Sequence, residues 1–167
     1  PLPSAPSIAQ PRHFLLVADE DAQCRELLAG AFADTYEVVQ ADDCGRALAF
    51  LSENANKLAS LIVSSDLPNP GVGTVASTPR RVTAPRHIPV MVLTTPEREQ
   101  EVQSLGLDVD DIAYKPRDTR CTRCLIRRVD WMNTLNAYKS RERSMISEAC
   151  RDYLTGLFNR RGFQSAL

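Results

Sequence analysis

The sequence predicts an α/β domain, a doubly wound five-stranded parallel sheet with an irregular third helix, followed by one long C-terminal helix. Three observations carry this. Five short aliphatic or β-branched runs, at 13–17, 36–41, 60–65, 88–95 and 111–114, are separated by longer stretches. Most of those stretches repeat apolar residues at helical spacing, and helices between buried strands require crossovers and hence a parallel sheet. After Pro116 the helical pattern runs to Cys150 without an obvious stop.

The first strand, HFLLV, is ended by Asp19, Glu20 and Asp21, and Cys24, Leu27, Leu28, Ala31 and Phe32 then mark one face of a helix. YEVVQA supplies the second strand. Asp42 or Asp43 can cap the next helix, on which Ala47, Leu48 and Leu51 share a face. SLIVSS is nearly all apolar, as in a strand covered on both sides. The connection that follows contains Pro68, Pro70, Pro79 and Pro85 around a Ser/Thr/Val-rich middle. Pro79 opposes a helix centred there, and Val75, Thr78 and Val82 add no helical drive, so the third helix is expected to be short, displaced or absent. IPVMVLTT forms the fourth strand, 97–105 a short helix, and DIAY the fifth strand. In the last helix Leu125, Val129, Met132, Leu135 and Tyr138 supply an apolar face, and the charged segment beyond projects and pairs with a second copy. A kink near Asn136 with a merely solvated second half is the alternative.

Of 167 residues, 43% are hydrophobic and 25% charged, which excludes a disordered chain. A net charge of -1 offers no bulk attraction to nucleic acid or an anionic membrane. No apolar run suits a membrane span or a signal peptide, so a cytoplasmic location is expected. Residues 1–11, rich in Pro and Ser, read as a flexible leader, 12–135 as the domain, 136–150 as a linker helix and 151–167 as the start of something further. Five cysteines, an odd number, argue against a secreted disulfide framework. Cys121 and Cys124 form a C-x-x-C without a second pair, and His13 and His87 are distant in sequence. They read as helix cysteines, one helping to fill the core, rather than a metal site.

In a parallel sheet the active crevice lies at the carboxyl ends of the strands. Asp19 and Glu20, Asp66, Thr94 and Lys115 fall there in order. Converging carboxylates suit a hard cation such as Mg2+, beside which a carboxylate can accept a phosphoryl group. A lysine and a hydroxyl can then pair with the modified carboxylate. A third strand ending one residue earlier would put Ser65 in place of Asp66.

These residues resemble the receiver domain of bacterial response regulators over about 12–135. LLVADED is similar to the family's first-strand acidic motif, and SSDLPNPG to its phosphoacceptor stretch, with Pro70 four residues after Asp66. IPVMVLTT is similar to the strand ending in the switch threonine, and LGLDVDDIAYKP to the stretch ending in the Lys-Pro pair. The resemblance implies a CheY-like strand order 2-1-3-4-5, Asp66 as phosphoacceptor and Asp19, Glu20 and Asp66 around Mg2+. It further implies Thr94 and Lys115 as phosphate contacts, and a histidine kinase or phosphotransfer protein upstream. Ala18 stands where the family usually has the first of two acids, which thins the acidic cluster.

The tail resembles the opening of a GGDEF (diguanylate cyclase) domain. Asp152, Leu154, Thr155, Gly156, Leu157, Asn159, Arg160, Arg161 and Phe163 match its D-x-L-T-G-L-x-N-R-R-x-F pattern. That family condenses two GTP to cyclic di-GMP as a dimer, with a metal-binding Asp and a GG(D/E)EF loop, neither of which precedes Leu167. The chain is therefore expected to be non-catalytic alone, its control domain governing a cyclase through phosphorylation and homodimer formation. The alternative is a pseudo-receiver that takes no phosphate and acts by docking or dimerisation. A nucleotide-binding enzyme would need a Gly-rich loop after the first strand, where the acids would repel phosphate. A DNA-binding regulator would need a helix-turn-helix or basic segment, and none is evident.

Overall fold

The structure, a computed structural model, describes residues 13–68, 71–82 and 86–150, with side chains as far as Ile146. The leader, Pro70, Pro85 and the tail motif over 152–163 lie outside these residues. The elements are β1 (Phe14–Ala18), α1 (Ala22–Phe32), β2 (Glu37–Ala41), α2 (Cys44–Asn54), β3 (Leu58–Ser64), α3 (Gly71–Val82), β4 (Val90–Thr94), α4 (Glu99–Ser104), β5 (Asp111–Tyr114) and α5 (Thr119–Cys150). Single 3-10 turns precede β3 and α4. The sheet is parallel throughout, in the order β2-β1-β3-β4-β5.

Alternation along the strands divides the core. Leu15 and Val17, with Ile62, Met91 and Leu93, face Cys24, Leu28 and Phe32 of α1 and Leu125, Val129 and Met132 of α5. Leu16 and Ala18, with Leu61, Val63, Val90 and Val92, face α2, α3 and Val102 of α4. Each large aliphatic side chain buried in this way stabilises the fold by about 1.5–3 kcal/mol. Carboxylate caps fix where the helices begin. Asp21 accepts from the Gln23 N–H at 2.9 Å, Asp43 from Arg46 N–H at 2.8 Å, and Asp118 from Arg120 and Cys121 N–H at 2.8 and 2.9 Å.

The third helix corrects the expectation for it. It forms as a full twelve-residue element with Pro79 inside. Val72, Val75, Ala76 and Pro79 are all buried, at the spacing of one helix face, so the proline ring packs into the core. That burial offsets the hydrogen bond the ring removes. Gly71 opens the element at φ +77°, in the left-handed region that a side chain disfavours.

The cysteine pair also differs from expectation. Cys121 and Cys124 are both exposed, while Thr122 and Leu125 turn inward. Among the described side chains, the buried cysteines are Cys24 and Cys44.

α5 runs unbroken through Asn136. Ser60 Oγ donates to Asn133 Oδ1 at 2.9 Å, and Asn133 Nδ2 donates to the Tyr36 hydroxyl at 2.8 Å. Asn136 Nδ2 donates to the His87 carbonyl at 2.8 Å. Side chains from 137 to 146 are exposed, so the helix leaves the domain there. Among the described residues, no helix is long and apolar enough to cross a membrane.

Candidate functional site

The carboxyl ends of β1, β3 and β5 are held in place around that of β4, because each of the three continues its ladder for one residue past the strand. Asp19 N–H donates to the Ala41 carbonyl at 3.0 Å, Ser65 N–H to Leu93 at 2.8 Å and Lys115 N–H to Thr94 at 2.9 Å. The side chains of Asp19 and Lys115 are thereby aimed into one crevice. Asp66 follows one residue after Ser65, its N–H held by Ser64 Oγ at 3.1 Å.

Lys115 is the hub. Its Nζ lies 3.0 Å from Asp19 Oδ1 and 2.9 Å from Asp66 Oδ2. The other Asp66 oxygen is taken by Arg98 Nη1, from the turn that precedes α4. Burial pushes the Asp66 carboxyl up, but Lys115 and Arg98 outweigh it and hold it below its ordinary range. Burial likewise lowers Lys115, and Asp66 and Asp19 more than reverse this. Both groups are therefore charged at neutral pH. The Cys24 thiol is pushed up to about 12 by its burial and by the neighbouring Asp19 charge, so it lines the crevice as a neutral group.

Thr94 is fully buried, and its hydroxyl accepts from Ser65 Oγ at 3.2 Å. Ser65 thus lies against Thr94, whereas Asp66 lies against Lys115. Asp19, Asp66 and Lys115 form one cluster, with Thr94 on the adjoining strand end. Glu20 does not join it. Its side chain is exposed, and Arg25 Nη1 holds the backbone instead, through the Asp19 and Glu20 carbonyls at 2.7 and 3.0 Å. Arg98 has no signal in the sequence, because its guanidinium reaches Asp66 only once β4 is paired beside β3 and the turn after β4 is set over the end of β3.

The expected trio of carboxylates is corrected accordingly. Among the described residues, no group of three or more His, Cys, Asp or Glu side chains is arranged to hold a metal ion. Two carboxylates remain, and Asp19 Oδ2 is buried without a hydrogen-bond partner. An unsatisfied carboxylate oxygen beside a second carboxylate fits a hard cation that keeps several of its waters. Asp19 and Asp66 are the residues that would hold Mg2+.

The crevice opens into a cleft of about 560 Å3 between the start of α1 and the loops after β4 and β5, lined in part by Thr95, Glu97, Tyr114 and Arg117. A second cleft of about 460 Å3 lies along α5, lined in part by His87, Asp110 and Trp131. Unlike the first, it is lined by neither Thr94 nor Lys115.

No family model and no curated protein matches the chain. Solved structures do. A putative response regulator from Chloroflexus aurantiacus is 23% identical with a TM-score of 0.62, covering 74% of this chain and 98% of that one. The REC domain of AraT, a response regulator from Geobacillus stearothermophilus, is 23% identical with a TM-score of 0.61, covering 76% and 98%. An adenylate cyclase structure from Rhodopirellula baltica is 18% identical with a TM-score of 0.63, covering 80% and 98%. At these identities the likeness is one of fold. The chain has the CheY-like receiver fold.

Proposed function

We propose that this domain is a phosphorylation-responsive receiver whose acceptor is Asp66. The observation that carries the reading is Lys115, which bridges Asp19 and Asp66 from the carboxyl end of β5 to those of β1 and β3. An Asp66 oxygen attacks the phosphorus of a phosphodonor, the bond to the donor's leaving group breaks, and an acyl phosphate forms. A histidine kinase or phosphotransfer protein is the donor that the family resemblance suggests. Lys115 orients the carboxylate before attack and pairs with the added charge afterwards. Bound Mg2+ would offset charge on the transferring oxygens, with Asp19 and Asp66 as its protein ligands. The Thr94 hydroxyl, now paired with Ser65, can rotate toward the new phosphoryl oxygens, and the loop after β4 would shift with it.

Output in this reading runs through α5. Trp131, Leu135, Tyr138 and Met145 are exposed at heptad-like spacing, with Glu142 the one charged position in the series. Such a stripe suits a second copy of the helix, so we read the protein as a homodimer paired there. The tail motif over 152–163 would then open a GGDEF output domain, whose two copies are set in position by the paired helices.

A second reading has support of its own. Both oxygens of Asp66 already have cationic partners, and Ala18 removes one acid from the end of β1. A pseudo-receiver that docks or dimerises without phosphate would carry these features too. Intact mass after incubation with Mg2+ and acetyl phosphate separates the readings. An adduct that vanishes in Asp66→Asn supports the receiver. No adduct on a correctly folded chain moves the assignment to the pseudo-receiver.

A further inference from the structure

We propose that Arg98 is a built-in competitor for the divalent cation, occupying the Asp66 oxygen that the ion needs and leaving only when the ion arrives. The inference rests on the crevice reading above and concerns how that crevice is controlled. Asp66 carries a cation on each oxygen, Lys115 on one and Arg98 on the other, and Lys115 also holds Asp19 Oδ1. A divalent ion that ligates Asp66 meets both of its oxygens occupied. One resident cation must go.

The geometry selects Arg98. Lys115 touches both carboxylates and its side chain is 16% exposed, whereas the Arg98 side chain is 39% exposed. Arg98 also has somewhere to go. Its Nε and Nη2 already grip the Glu101 carboxylate, each at 3.1 Å, and that pair survives when Nη1 lets go of Asp66. Release from one carboxylate while keeping another costs far less than stranding a guanidinium.

Departure of Arg98 has a mechanical result. Arg98 is the residue from which α4 starts, and Glu99 beside it accepts from the Tyr114 hydroxyl at 2.5 Å. With Arg98 on Asp66, the start of α4 is tied to β3; without it, α4 is held at that end by Tyr114. Cation entry is thereby coupled to the freedom of α4.

The test is Mn2+ binding, followed by paramagnetic broadening of the Asp19, Asp66 and Thr94 amide signals, in the wild type, Arg98→Ala and Arg117→Ala. Arg117 lines the adjoining cleft with Thr94 and Lys115 and serves as the control for simple loss of positive charge. Arg98→Ala should lower Kd about tenfold, the scale of one lost competing charge-assisted hydrogen bond, with Arg117→Ala changing it far less. Equal effects of the two substitutions would reduce Arg98 to a diffuse field and overturn the proposal. So would unchanged or weaker binding in Arg98→Ala, and in both cases the crevice would stand as a cation site. Absence of localised broadening in all three folded proteins would overturn the cation-binding reading itself, and the competitor with it.

Discussion

Asn133→Ala tests whether α5 is pinned to the sheet by side-chain polarity as well as by its apolar face. The amide joins two elements, accepting from Ser60 Oγ on β3 and donating to the Tyr36 hydroxyl ahead of β2. Its truncation removes two hydrogen bonds, each contributing about 0.5–1.5 kcal/mol. The two stranded partners then differ. Tyr36 is only partly buried and can turn to water, but Ser60 is fully buried. Leaving its hydroxyl without that partner adds a desolvation cost of about 1–3 kcal/mol. The expected loss is about 2–6 kcal/mol, or a Tm lower by at least roughly 6 °C for a domain of this size. Urea unfolding followed by circular dichroism measures it. The mechanism makes a sharper demand on the double variant Ser60→Ala/Asn133→Ala. With no hydroxyl left to strand, it should be more stable than Asn133→Ala alone by about 1 kcal/mol. A single-variant loss below about 0.5 kcal/mol, or a double variant no better than the single, would refute the reasoning.

Three other expectations follow from particular contacts. Asp66 has a folded-state pKa below its ordinary value of 3.8, because Lys115 and Arg98 outweigh burial. Its contribution to stability is therefore full above that value and is lost as pH falls through the lower folded one. Paired denaturation of wild type and Asp66→Asn should show their difference shrinking as the pH is taken below 3.8, and growth on acidification would contradict the ion pairs. At mildly alkaline pH a thiol reagent should modify Cys121 and Cys124 in the folded protein and reach Cys24 and Cys44 only on unfolding, as peptide masses would reveal. Pro79→Ala restores an N–H within α3 but removes a buried ring, so the two effects should leave stability within about 1 kcal/mol of the wild type. Amide exchange in the last turn of α3 should slow. Faster exchange there would mean that the ring is more valuable to the helix than the hydrogen bond.

Where composition and periodicity agreed, the sequence was legible. DIAY is bounded by polar residues and coincides with β5 as Asp111–Tyr114, and the long helix begins at Thr119 behind the cap at Asp118. The third strand starts earlier than expected, at Leu58, a core residue, and also ends one residue earlier, at Ser64, so that Ser65 follows the strand directly and bonds Thr94 while Asp66 meets Lys115. The third helix was misjudged for a physical reason. Local propensity charges Pro79 its full cost, while its compensation is burial beside Val72, Val75 and Ala76, visible only when the face is assembled. In the crevice, strand-end positions brought out Asp19, Asp66, Thr94 and Lys115. They could not separate Glu20, whose side chain turns to solvent, from Asp19 one residue earlier. Neither Arg98 on Asp66 nor Asn133 on Ser60 leaves a signal in spacing, since each contact joins residues far apart along the chain.

The exit of α5 at Asn136 gives the molecule a lever. Among the described side chains, the last polar fastening of the helix is from that residue to the loop before β4, and fourteen residues of continuous helix lie beyond it, 137–150. At 1.5 Å per residue the arm is about 21 Å long, and a tilt of about 10° at its base would carry the far end through about 4 Å. Displacements at the base too small to disturb the core would thus become steps comparable with most of a helical turn. What such a domain transmits is then set by the length and stiffness of the arm as much as by the movement that starts it.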